Sequence, residues 1–540
     1  MKIYCKLFFI ISLLLFSSSI LILPITASLE TDIQIRYPSE YNLSQFSFNS
    51  SDFIEDIISE LEREAVYENE KLLGWPFRLN GPFENHERMY RGYNVGMAGI
   101  GEFLLNAYNK GYNKSKPLLD DIITHFIENA ELSLGGGHYW GRFSNEDTGG
   151  WTGLRYGNAG IIKFLSNIDK SNYNTSLTTL IESGYTFLKS LQLDDGSWPM
   201  TENGYITTDT QYGAVGIGTS FLELYQNTGN STYYDEATNI GNYLINNGYW
   251  EEDRFLIPWT PQAIESEFDG LIVYGKSGGL AGIIDYLNKL YLLTLNHTFL
   301  DTSIGLGKSI LYSDLGGYWP DGSVSYVSRI YTSNIALTGY DVGSSGIAVS
   351  LLDLYDTMDS EQISQNQILE ASARAEKFVL ALLNDDYSLP VGLAYQMNKI
   401  TGKSLGSAGL ALHQLELYER YGTPRHMDLA INIFSHLHDL FKSNTGLPLD
   451  ESDIVYGYSF NLEDGIAGIG NILLYLESVS PKNSGYEYEE IYTNMVPNLS
   501  LPETTNENSN SSKTTFNPIL YNFIIIFTMI IITVKRLKYK

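Results

Sequence analysis

Cysteine is almost absent from this sequence of 540 residues. The only cysteine, Cys5, lies close to the N-terminus, and there are eight histidines. A domain that begins after Cys5 has no thiol, which excludes both a disulfide framework and a cysteine-ligated metal site within that domain. We therefore expect packing alone to stabilise the domain, and we predict neither a metal ion nor any other cofactor.

Positive charge is also scarce. Lysine and arginine number 34 against 63 aspartates and glutamates, so the formal net charge is −29. Because the phosphate backbone of a nucleic acid attracts basic surfaces, this balance argues against a nucleic-acid partner. Strong acidity mainly serves solubility and identifies no other partner.

Apolar runs long enough to matter for membranes lie at the two ends of the chain. Residues 7–23 follow a basic start and precede the small residue Ala27, which is the layout of a secretory signal peptide over residues 1–27. The same run is long enough to remain as an uncleaved anchor. Residues 518–534 are mostly apolar and precede Lys535 and Arg536, which predicts a transmembrane helix with a cytoplasmic tail at residues 535–540. We therefore expect a cell-surface protein with its bulk outside the cytoplasm.

The remaining chain divides into three parts. Residues 28–50 form an N-terminal extension, residues 51–480 a large repetitive domain, and residues 481–517 an Asn/Ser/Thr/Pro-rich segment that predicts a flexible stalk. Asn-x-Ser/Thr motifs accept N-linked glycans in exported proteins, so we expect a glycoprotein. Eight such motifs occur, at Asn42, Asn49, Asn113, Asn174, Asn230, Asn296, Asn498 and Asn510. The last two lie in the predicted stalk, where we expect exposure, and are the better candidates.

A Gly-x-x-Gly motif followed by an amphipathic run recurs seven times in the repetitive domain. Apolar residues follow the helical period after each motif, as Ile100, Phe103 and Leu104 do in the first repeat. A second amphipathic segment lies between consecutive runs, and one precedes the first run, which predicts fourteen helices. The glycine pairs are 96/99, 157/160, 213/216, 275/278, 343/346, 406/409 and 465/468.

Seven helical hairpins can stack as an open solenoid or close into a ring. Small residues at the start of each glycine helix permit close backbone approach where helices converge, which favours a ring with the glycine helices inside. Closure also removes the need for polar capping repeats. The predicted fold is therefore all-α, a double-layered α/α toroid of seven helical hairpins.

These motifs resemble those of the lanthionine synthetase C-like family. The last repeat reads Asn461-Leu462-Glu463-Asp464-Gly465-Ile466-Ala467-Gly468-Ile469-Gly470, close to the Asp-Gly-x-Ala-Gly-Ile of that family. The resemblance covers roughly residues 51–480. It implies a toroid of seven inner and seven outer helices and an activity that binds or modifies peptides in a central cavity.

Active members of that family hold zinc with one cysteine in the fifth repeat and a Cys-His pair in the sixth, and they place a histidine before the fourth glycine motif. By motif position, Asp341 replaces the first cysteine, Ser404-Leu405 replaces the pair, and Tyr274 replaces the histidine. No zinc ligand of the family remains, so the resemblance implies a divergent member without zinc.

The starts of the seven glycine helices are expected to meet at one end of the central hole. Free N–H groups and helix dipoles there favour anions or oxygen-rich ligands. The candidate catalytic carboxylates are Asp209, Asp341 and Asp464. The candidate substrate-binding residues are Arg91, Tyr93, Arg155, Gln211, Tyr274, Lys276, Ser404 and Glu463.

Three functions remain open at this stage, and so does the question of catalysis. The domain binds or modifies peptides, or it is a non-catalytic surface binding domain, or it hydrolyses glycans with paired carboxylates. The ligand is accordingly a peptide or a glycan. Asp341 and Asp464 also have a purely structural interpretation as helix N-caps.

Overall fold

Helices and their connecting loops make up almost all of the structure, which is a computed structural model. It describes residues 48–77, 87–146, 148–168, 175–202, 204–261, 270–319, 336–358, 365–392, 398–444, 446–448, 450, 458–482 and 486–495. The chain divides into two units, Met1–Val496 and Pro497–Lys540. The second unit, together with the signal peptide and transmembrane helix expected from the sequence, lies outside the described residues.

Seven helices begin at a glycine motif and form an inner layer. They are α2 (Met97–Asn109), α4 (Asn158–Asn167), α6 (Ala214–Thr228), α8 (Leu280–Thr294), α10 (Ser344–Thr357), α12 (Ser407–Tyr421) and α14 (Ile466–Leu476). Seven further helices form an outer layer. They are α1 (Ser50–Glu64), α3 (Lys116–Glu128), α5 (Thr175–Ser190), α7 (Ser231–Asn246), α9 (His297–Tyr312), α11 (Gln365–Leu382) and α13 (Pro424–Asn444).

The inner helices form a closed ring. Each inner helix packs against the next one in the chain, and α14 packs against α2, which closes the circle. Six outer helices pair with the inner helix that precedes them, whereas α1 pairs with α14. The first and last helices of the repeat array therefore make the seventh hairpin together, and the predicted double-layered α/α toroid is confirmed.

The glycine motif is required by the loop that leads into each inner helix. The loop folds back over the helix start, so that a Cβ on the first glycine of a pair would meet the loop backbone. At Gly213, for example, that Cβ would lie 2.2 Å from the Thr207 carbonyl oxygen. A Cβ on the second glycine, as at Gly346, would lie 1.7 Å from the Tyr340 carbonyl oxygen. Any larger residue at these positions would displace the loop.

Tryptophans close the outer layer at the C-terminal ends of four outer helices. Their indole N–H groups donate to carbonyl oxygens in or beside the last turns of those helices, at 2.8–2.9 Å. The four are Trp75, Trp140, Trp198 and Trp319, all at least 95% buried. The indole N–H groups thus provide partners for carbonyl groups near the helix C-termini, where the last carbonyls have no partner within the helix.

The structure also contains three short antiparallel hairpins. They are β1–β2 (Val66–Glu68, Lys71–Gly74), β3–β4 (Glu131–Leu132, His138–Tyr139) and β5–β6 (Tyr249–Glu251, Arg254–Leu256). Trp75 directly follows the first hairpin, and Trp140 directly follows the second.

A fifteenth helix, α15 (Tyr486–Asn494), packs on the toroid inside the segment predicted as a stalk. Its Tyr488 stacks on Tyr421 with ring centres 4.7 Å apart and donates a hydrogen bond to the buried carboxylate of Glu376. Arg425 joins Glu376 and Glu489 by ion pairs of 2.7 and 3.0 Å. The ordered body therefore extends beyond residue 480. None of the helices among the described residues is long and apolar enough to cross a membrane.

Candidate functional site

A ring of backbone hydrogen bonds joins the seven loops that precede the inner helices. Every bond runs from one loop to the next, and the seventh loop returns to the first through Glu463 N–H and Asn94 C=O at 3.0 Å. The residues two positions before the first glycine form most of this ring. We call the end of the toroid that carries it the mouth, and its seven residues are Asn94, Arg155, Gln211, Ser277, Asp341, Ser404 and Glu463.

The fourth repeat enters this ring four residues later than the sequence pattern suggested. Helix α8 is preceded by Gly279 as its N-cap, so the true pair is Gly279/Gly282 and not Gly275/Gly278. The placement of Tyr274 at the mouth is therefore wrong. Its hydroxyl lies 2.8 Å from the Ser313 hydroxyl, beyond the end of the outer helix α9. The residue directly before the first glycine of this repeat is Gly278, which carries no side chain.

The expectation of free N–H groups at the mouth is also wrong. In every repeat, the first N–H of the inner helix donates to a carbonyl six residues before the N-cap glycine, as Met97 N–H does to Tyr90 C=O at 2.9 Å. The second N–H donates to the following carbonyl, as Ala98 does to Arg91. The loops thus satisfy two orphan donors of each helix. Recognition at the mouth must rely mainly on side chains.

Three predicted residues meet at the centre of the mouth. Arg155 of the second repeat donates to Gln211 at 2.7 Å and forms an ion pair with Glu463 of the seventh repeat at 2.8 Å. Gln211 of the third repeat also reaches Glu463, at 3.4 Å. Because these repeats are not all neighbours, the three side chains cross the middle of the ring. Only 5% of the Glu463 surface is exposed.

The carboxyl group of Glu463 is poised between its two protonation states. Burial raises the pKa of Glu463 to about 7, and the nearby carboxylates of Asp464 and Asp341 raise it further, while Arg155 and Lys403 lower it. Removal of a charged group from water disfavours its ionised form, and here that effect outweighs the ion pair. Glu463 can therefore accept or donate a proton near neutral pH.

Asp341 lies on the same ring but does not cap a helix. Its carboxylate pairs with the Lys403 ammonium group at 3.2 Å. The N-cap residue of helix α10 is Gly343, and that of α14 is Gly465, neither of which makes a side-chain capping bond. The alternative interpretation of Asp341 and Asp464 as N-caps is therefore wrong.

The residues at the family's zinc positions do not fit a zinc ion. Zinc needs three or four ligands from cysteine, histidine or carboxylate. These positions hold Asp341, Ser404, Leu405 and Gly278, and the Lys403 ammonium group already pairs with the single carboxylate. In the part of the chain that the structure describes, no group of three or more His, Cys, Asp or Glu residues is arranged to hold a metal.

Aromatic rings lie beside the central cluster. The guanidinium carbon of Arg155 is 5.3 Å from the ring centre of Tyr156 and 5.7 Å from that of Tyr212. A second guanidinium, that of Arg142, lies 4.1 Å from the Tyr156 ring and 4.5 Å from the Trp151 ring. All three rings are partly exposed. They offer flat apolar surface next to charged groups.

Two predicted residues point away from the mouth ring into the inner helical layer. The Tyr93 hydroxyl accepts a hydrogen bond from Lys163 at 2.8 Å, and Lys163 pairs with Glu223 at 2.9 Å. Lys276 pairs with Asp285 at 2.8 Å. The structure thus places Tyr93 and Lys276 in polar clusters on the inner helices, separate from Arg155 and Glu463.

The second of these clusters contains another carboxyl group with a shifted pKa. Burial raises the pKa of Glu416 to about 7, although Lys276 and Arg420 lower it. Tyr340 donates to Glu416 at 2.8 Å, and Arg420 pairs with Asp353. These ion pairs join helices α8, α10 and α12 within the inner layer.

The remaining predicted residues stabilise loops. Asp209 accepts from the Gln211 and Tyr212 N–H groups at 2.8 and 2.6 Å and from the Trp259 indole at 2.5 Å. Arg91 is buried against the outer layer, where it donates to His125 at 3.1 Å and to the Phe143 carbonyl at 2.7 Å. Neither side chain is placed in the central cluster.

Sequence reasoning missed the charged residues of the inner helices. The sequence does contain a pattern that could have identified these residues. Polar residues recur six and ten positions after the first glycine of a pair, on helices that are otherwise apolar. A spacing of four places both on one helix face. Examples are Glu102 and Asn106 on α2, Lys163 and Asn167 on α4, and Asp285 and Lys289 on α8. Lys403, which neutralises Asp341, was also missed.

The geometry defines an all-α toroid whose mouth carries a cluster of polar side chains. Residues 41–257 match the family model of the lanthionine synthetase C-like proteins. This match covers the first part of the repetitive domain and agrees with the resemblance that the glycine motifs of the chain show. No curated protein sequence matches the chain.

Several solved structures are similar to this one. Nisin cyclase is 17% identical with a TM-score of 0.45, and the match covers 82% of this chain and 97% of that one. The cellobiose 2-epimerase of Spirochaeta thermophila is 13% identical with a TM-score of 0.43, over 70% and 96% of the two chains. An α-mannanase of glycoside hydrolase family 76 from Bacteroides thetaiotaomicron is 11% identical with a TM-score of 0.40, over 74% and 98%.

Proposed function

We propose that the chain binds peptides at the mouth of the toroid and does so without zinc. One observation carries this proposal. Among the described residues, Nε of Arg155 and Oε2 of Glu463 are both buried and have no hydrogen-bond partner, although they belong to two side chains that touch each other. Buried polar atoms are almost always satisfied by protein, water or ligand.

A peptide main chain supplies both kinds of missing partner. Its carbonyl oxygen accepts from a guanidinium N–H, and its N–H donates to a carboxylate oxygen. Hydrogen bonds to charged groups contribute about 1.5–3 kcal/mol each, more than bonds between neutral groups. Tyr156, Tyr212 and Trp151 beside the cluster would contact the apolar parts of peptide side chains.

Cyclisation by zinc-activated thiolate is not part of the proposal. The donor set at Asp341 and Ser404 does not fit zinc, and Lys403 places a positive charge beside the one carboxylate. What remains of the site can hold a peptide and exchange one proton at Glu463. We therefore propose peptide recognition as the primary activity of the domain. Substitution of Asp341 and of Asp464 by asparagine tests whether either carboxylate is catalytic.

The experiment is a binding screen of the purified full-length chain against a peptide library, followed by calorimetry on each hit. Arg155→Gln is expected to weaken binding about tenfold or more, because it removes a charged donor at the centre of the mouth. The matched control is Arg374→Gln, which breaks the 2.7 Å pair with Asp314 on the outer layer and should leave affinity unchanged. Equal affinities for wild type and Arg155→Gln would contradict the proposal.

Glycan hydrolysis is the second candidate, and one observation favours it. Glu463 has a pKa of about 7 beside two further carboxylates, which is the pairing of acid and base that glycosidases use. The partly exposed aromatic rings suit stacking on sugar rings. If oligosaccharides are cleaved by wild type, and Glu463→Gln abolishes cleavage while peptides show no binding, this candidate replaces the first.

We also propose that the domain works outside the cytoplasm, tethered by residues 518–534. This proposal is supported by the sequence of the two ends alone, since the described residues contain no spanning helix. The signal layout and the cations after residue 534 carry it.

A further inference from the structure

The rim of the toroid opposite the mouth shows an unexpected regularity. Inner and outer helices are joined there by very short loops, such as the two residues between Thr228 of α6 and Ser231 of α7. Short connections make antiparallel neighbours. The starts of the outer helices therefore lie at the end of the toroid away from the mouth.

Asn-x-Ser/Thr motifs coincide with these helix starts. Asn49, Asn230 and Asn296 are the N-caps of α1, α7 and α9, and Asn113 begins the short 3-10 helix that leads into α3. All four asparagines are exposed. A fifth motif, at Asn174, directly precedes α5 but lies outside the described residues.

Helix capping explains Asn49, Asn230 and Asn296, but at Asn230 and Asn296 it does not explain the whole motif. Asparagine is a favoured N-cap, and Oδ1 of Asn230 and Asn296 accepts from the Thr232 and Thr298 N–H groups at 3.0 and 3.1 Å. Capping places no demand on a hydroxyl two residues later. The Thr232 and Thr298 side chains are exposed, so packing does not require them either.

The caps leave the reactive atom available. Capping uses Oδ1, whereas N-glycosylation takes place at Nδ2. In the described residues, Nδ2 of Asn49, Asn230 and Asn296 makes no hydrogen bond. A glycan on Nδ2 would preserve the amide oxygen and therefore the cap.

Helices α11 and α13 are the two outer helices that have no such motif at their starts, and both starts contact helix α15 instead. Helix α15 packs over the starts of α11 and α13, where Tyr488 and Tyr492 cluster with Leu369, and Glu489 pairs with Arg425. Each of the seven outer-helix starts therefore carries either a motif or the C-terminal helix.

We propose that Asn49, Asn113, Asn230 and Asn296 are N-glycosylation sites that place glycans around the rim opposite the mouth. The donor is a lipid-phosphate-linked oligosaccharide. Nδ2 forms a bond to the anomeric carbon and loses a proton, the bond from that carbon to the phosphate oxygen breaks, and the lipid phosphate leaves. This arrangement keeps glycans away from the mouth and from the part of the rim that α15 covers. It rests on the predicted export and not on the proposed peptide binding.

The experiment is expression of the full chain through the secretory pathway of a glycosylating eukaryotic cell. The chain is treated with a glycosidase that converts each glycosylated asparagine to aspartate, and the sites are mapped by mass spectrometry. Thr232→Ala and Thr298→Ala should each lose one glycan while they keep the asparagine cap. The matched variants Thr232→Ser and Thr298→Ser should retain it.

Two outcomes would overturn the proposal. If Asn498 or Asn510 is modified while the four rim asparagines are not, export occurs and the rim asparagines are not glycosylation sites. If no asparagine in the chain is modified, the export on which the proposal rests is wrong and the proposal falls with it. Peptide affinity of the deglycosylated chain is measured separately, so failure of the rim sites and failure of the binding proposal are distinguishable.

Discussion

Replacement of Glu463 by glutamine should make the protein more stable. The pKa of Glu463 is about 7 in the folded chain because burial and the carboxylates of Asp464 and Asp341 outweigh Arg155, against an ordinary value of 4.5. A raised pKa means that the folded state prefers the protonated carboxyl. The associated stability is fully present below pH 4.5 and is lost as pH rises through 7. The difference corresponds to about 3 kcal/mol.

Glutamine resembles the protonated carboxyl and cannot ionise. At about pH 8, Glu463→Gln should therefore raise the free energy of unfolding by about 3 kcal/mol, and near pH 4 it should have little effect. The assay is denaturant unfolding of both proteins across this pH range. A gain that grows between pH 4.5 and 7 is the expected signature.

Glu376→Gln is the matched control, with the opposite sign. Burial would raise the pKa of Glu376, but Arg425 and His426 outweigh burial and hold the pKa at about 2. A lowered pKa gives stability that is present above pH 4.5 and lost as pH falls toward 2. Glu376→Gln should therefore cost about 3–5 kcal/mol at neutral pH, the usual cost of breaking a buried ion pair.

The two variants together decide the role of Glu463. If Glu463→Gln is neutral or destabilising at about pH 8, the pair with Arg155 outweighs burial and Glu463 is a structural residue like Glu376. If it stabilises, the folded domain maintains an unfavourable carboxylate at the centre of its mouth. Residues that reduce stability in this way are typical of functional sites.

Three further predictions concern the metal, a loop and the topology. Elemental analysis should find no stoichiometric zinc, and a chelator should leave the melting temperature unchanged. One tightly held zinc per chain would contradict the conclusion that the residues at Asp341 and Ser404 do not fit zinc. Asp209→Ala should lower the free energy of unfolding by about 1–3 kcal/mol because it leaves two buried donors and one partly buried donor without their acceptor, whereas Asp209→Asn, which retains one acceptor oxygen, should cost less. A chain truncated after about residue 513 should be released from cells as soluble protein. Protease added to intact cells should cleave the domain of the full-length chain, and protection from protease would refute export.

The architecture could be predicted because it depends on a repeated backbone requirement. Glycine is needed wherever the loop backbone lies within about 2–3 Å of the position that a Cβ would take, and this requirement recurs in all seven repeats. A longer pattern would also have given the correct register. A third glycine lies four residues before the first glycine of the pair in five repeats, as Gly92 and Gly153 do, and Gly275 in this role makes Gly279/Gly282 the pair of the fourth repeat.

Two repeats lack this third glycine, and one of them explains why Asp209 was predicted as a catalytic acid. The third and seventh repeats hold Asp209 and Asn461 in place of that glycine, and both side chains accept two N–H bonds from the following loop residues. Asp209 is therefore a local turn residue, although its sequence position suggested a catalytic acid. Without the register, a turn-forming aspartate could not be told from one that faces the ligand.

Contacts between distant repeats could not be predicted. The cluster of Arg155, Gln211 and Glu463 joins repeats that are more than 250 residues apart in sequence. The cluster forms only because seven repeats close into a ring. The number of repeats and the closure of the ring do not determine the direction in which each side chain points. The same limit applies to α15, whose composition gave no sign that Tyr488 and Glu489 would dock on Glu376 and Arg425.

The way in which the helix starts are satisfied explains how this mouth can hold residues so different from the zinc ligands of the family that its motifs resemble. Loop carbonyls accept the first two N–H groups of every inner helix, and the N-cap is always glycine without a side-chain bond. No side chain two or three positions before that glycine is therefore needed to form the helix. Because the fold imposes no requirement on these positions, the ring can carry seven side chains as different as Arg155 and Ser404. An ion pair such as Lys403–Asp341, at positions where the family that the motifs resemble holds zinc ligands, is therefore compatible with the toroid.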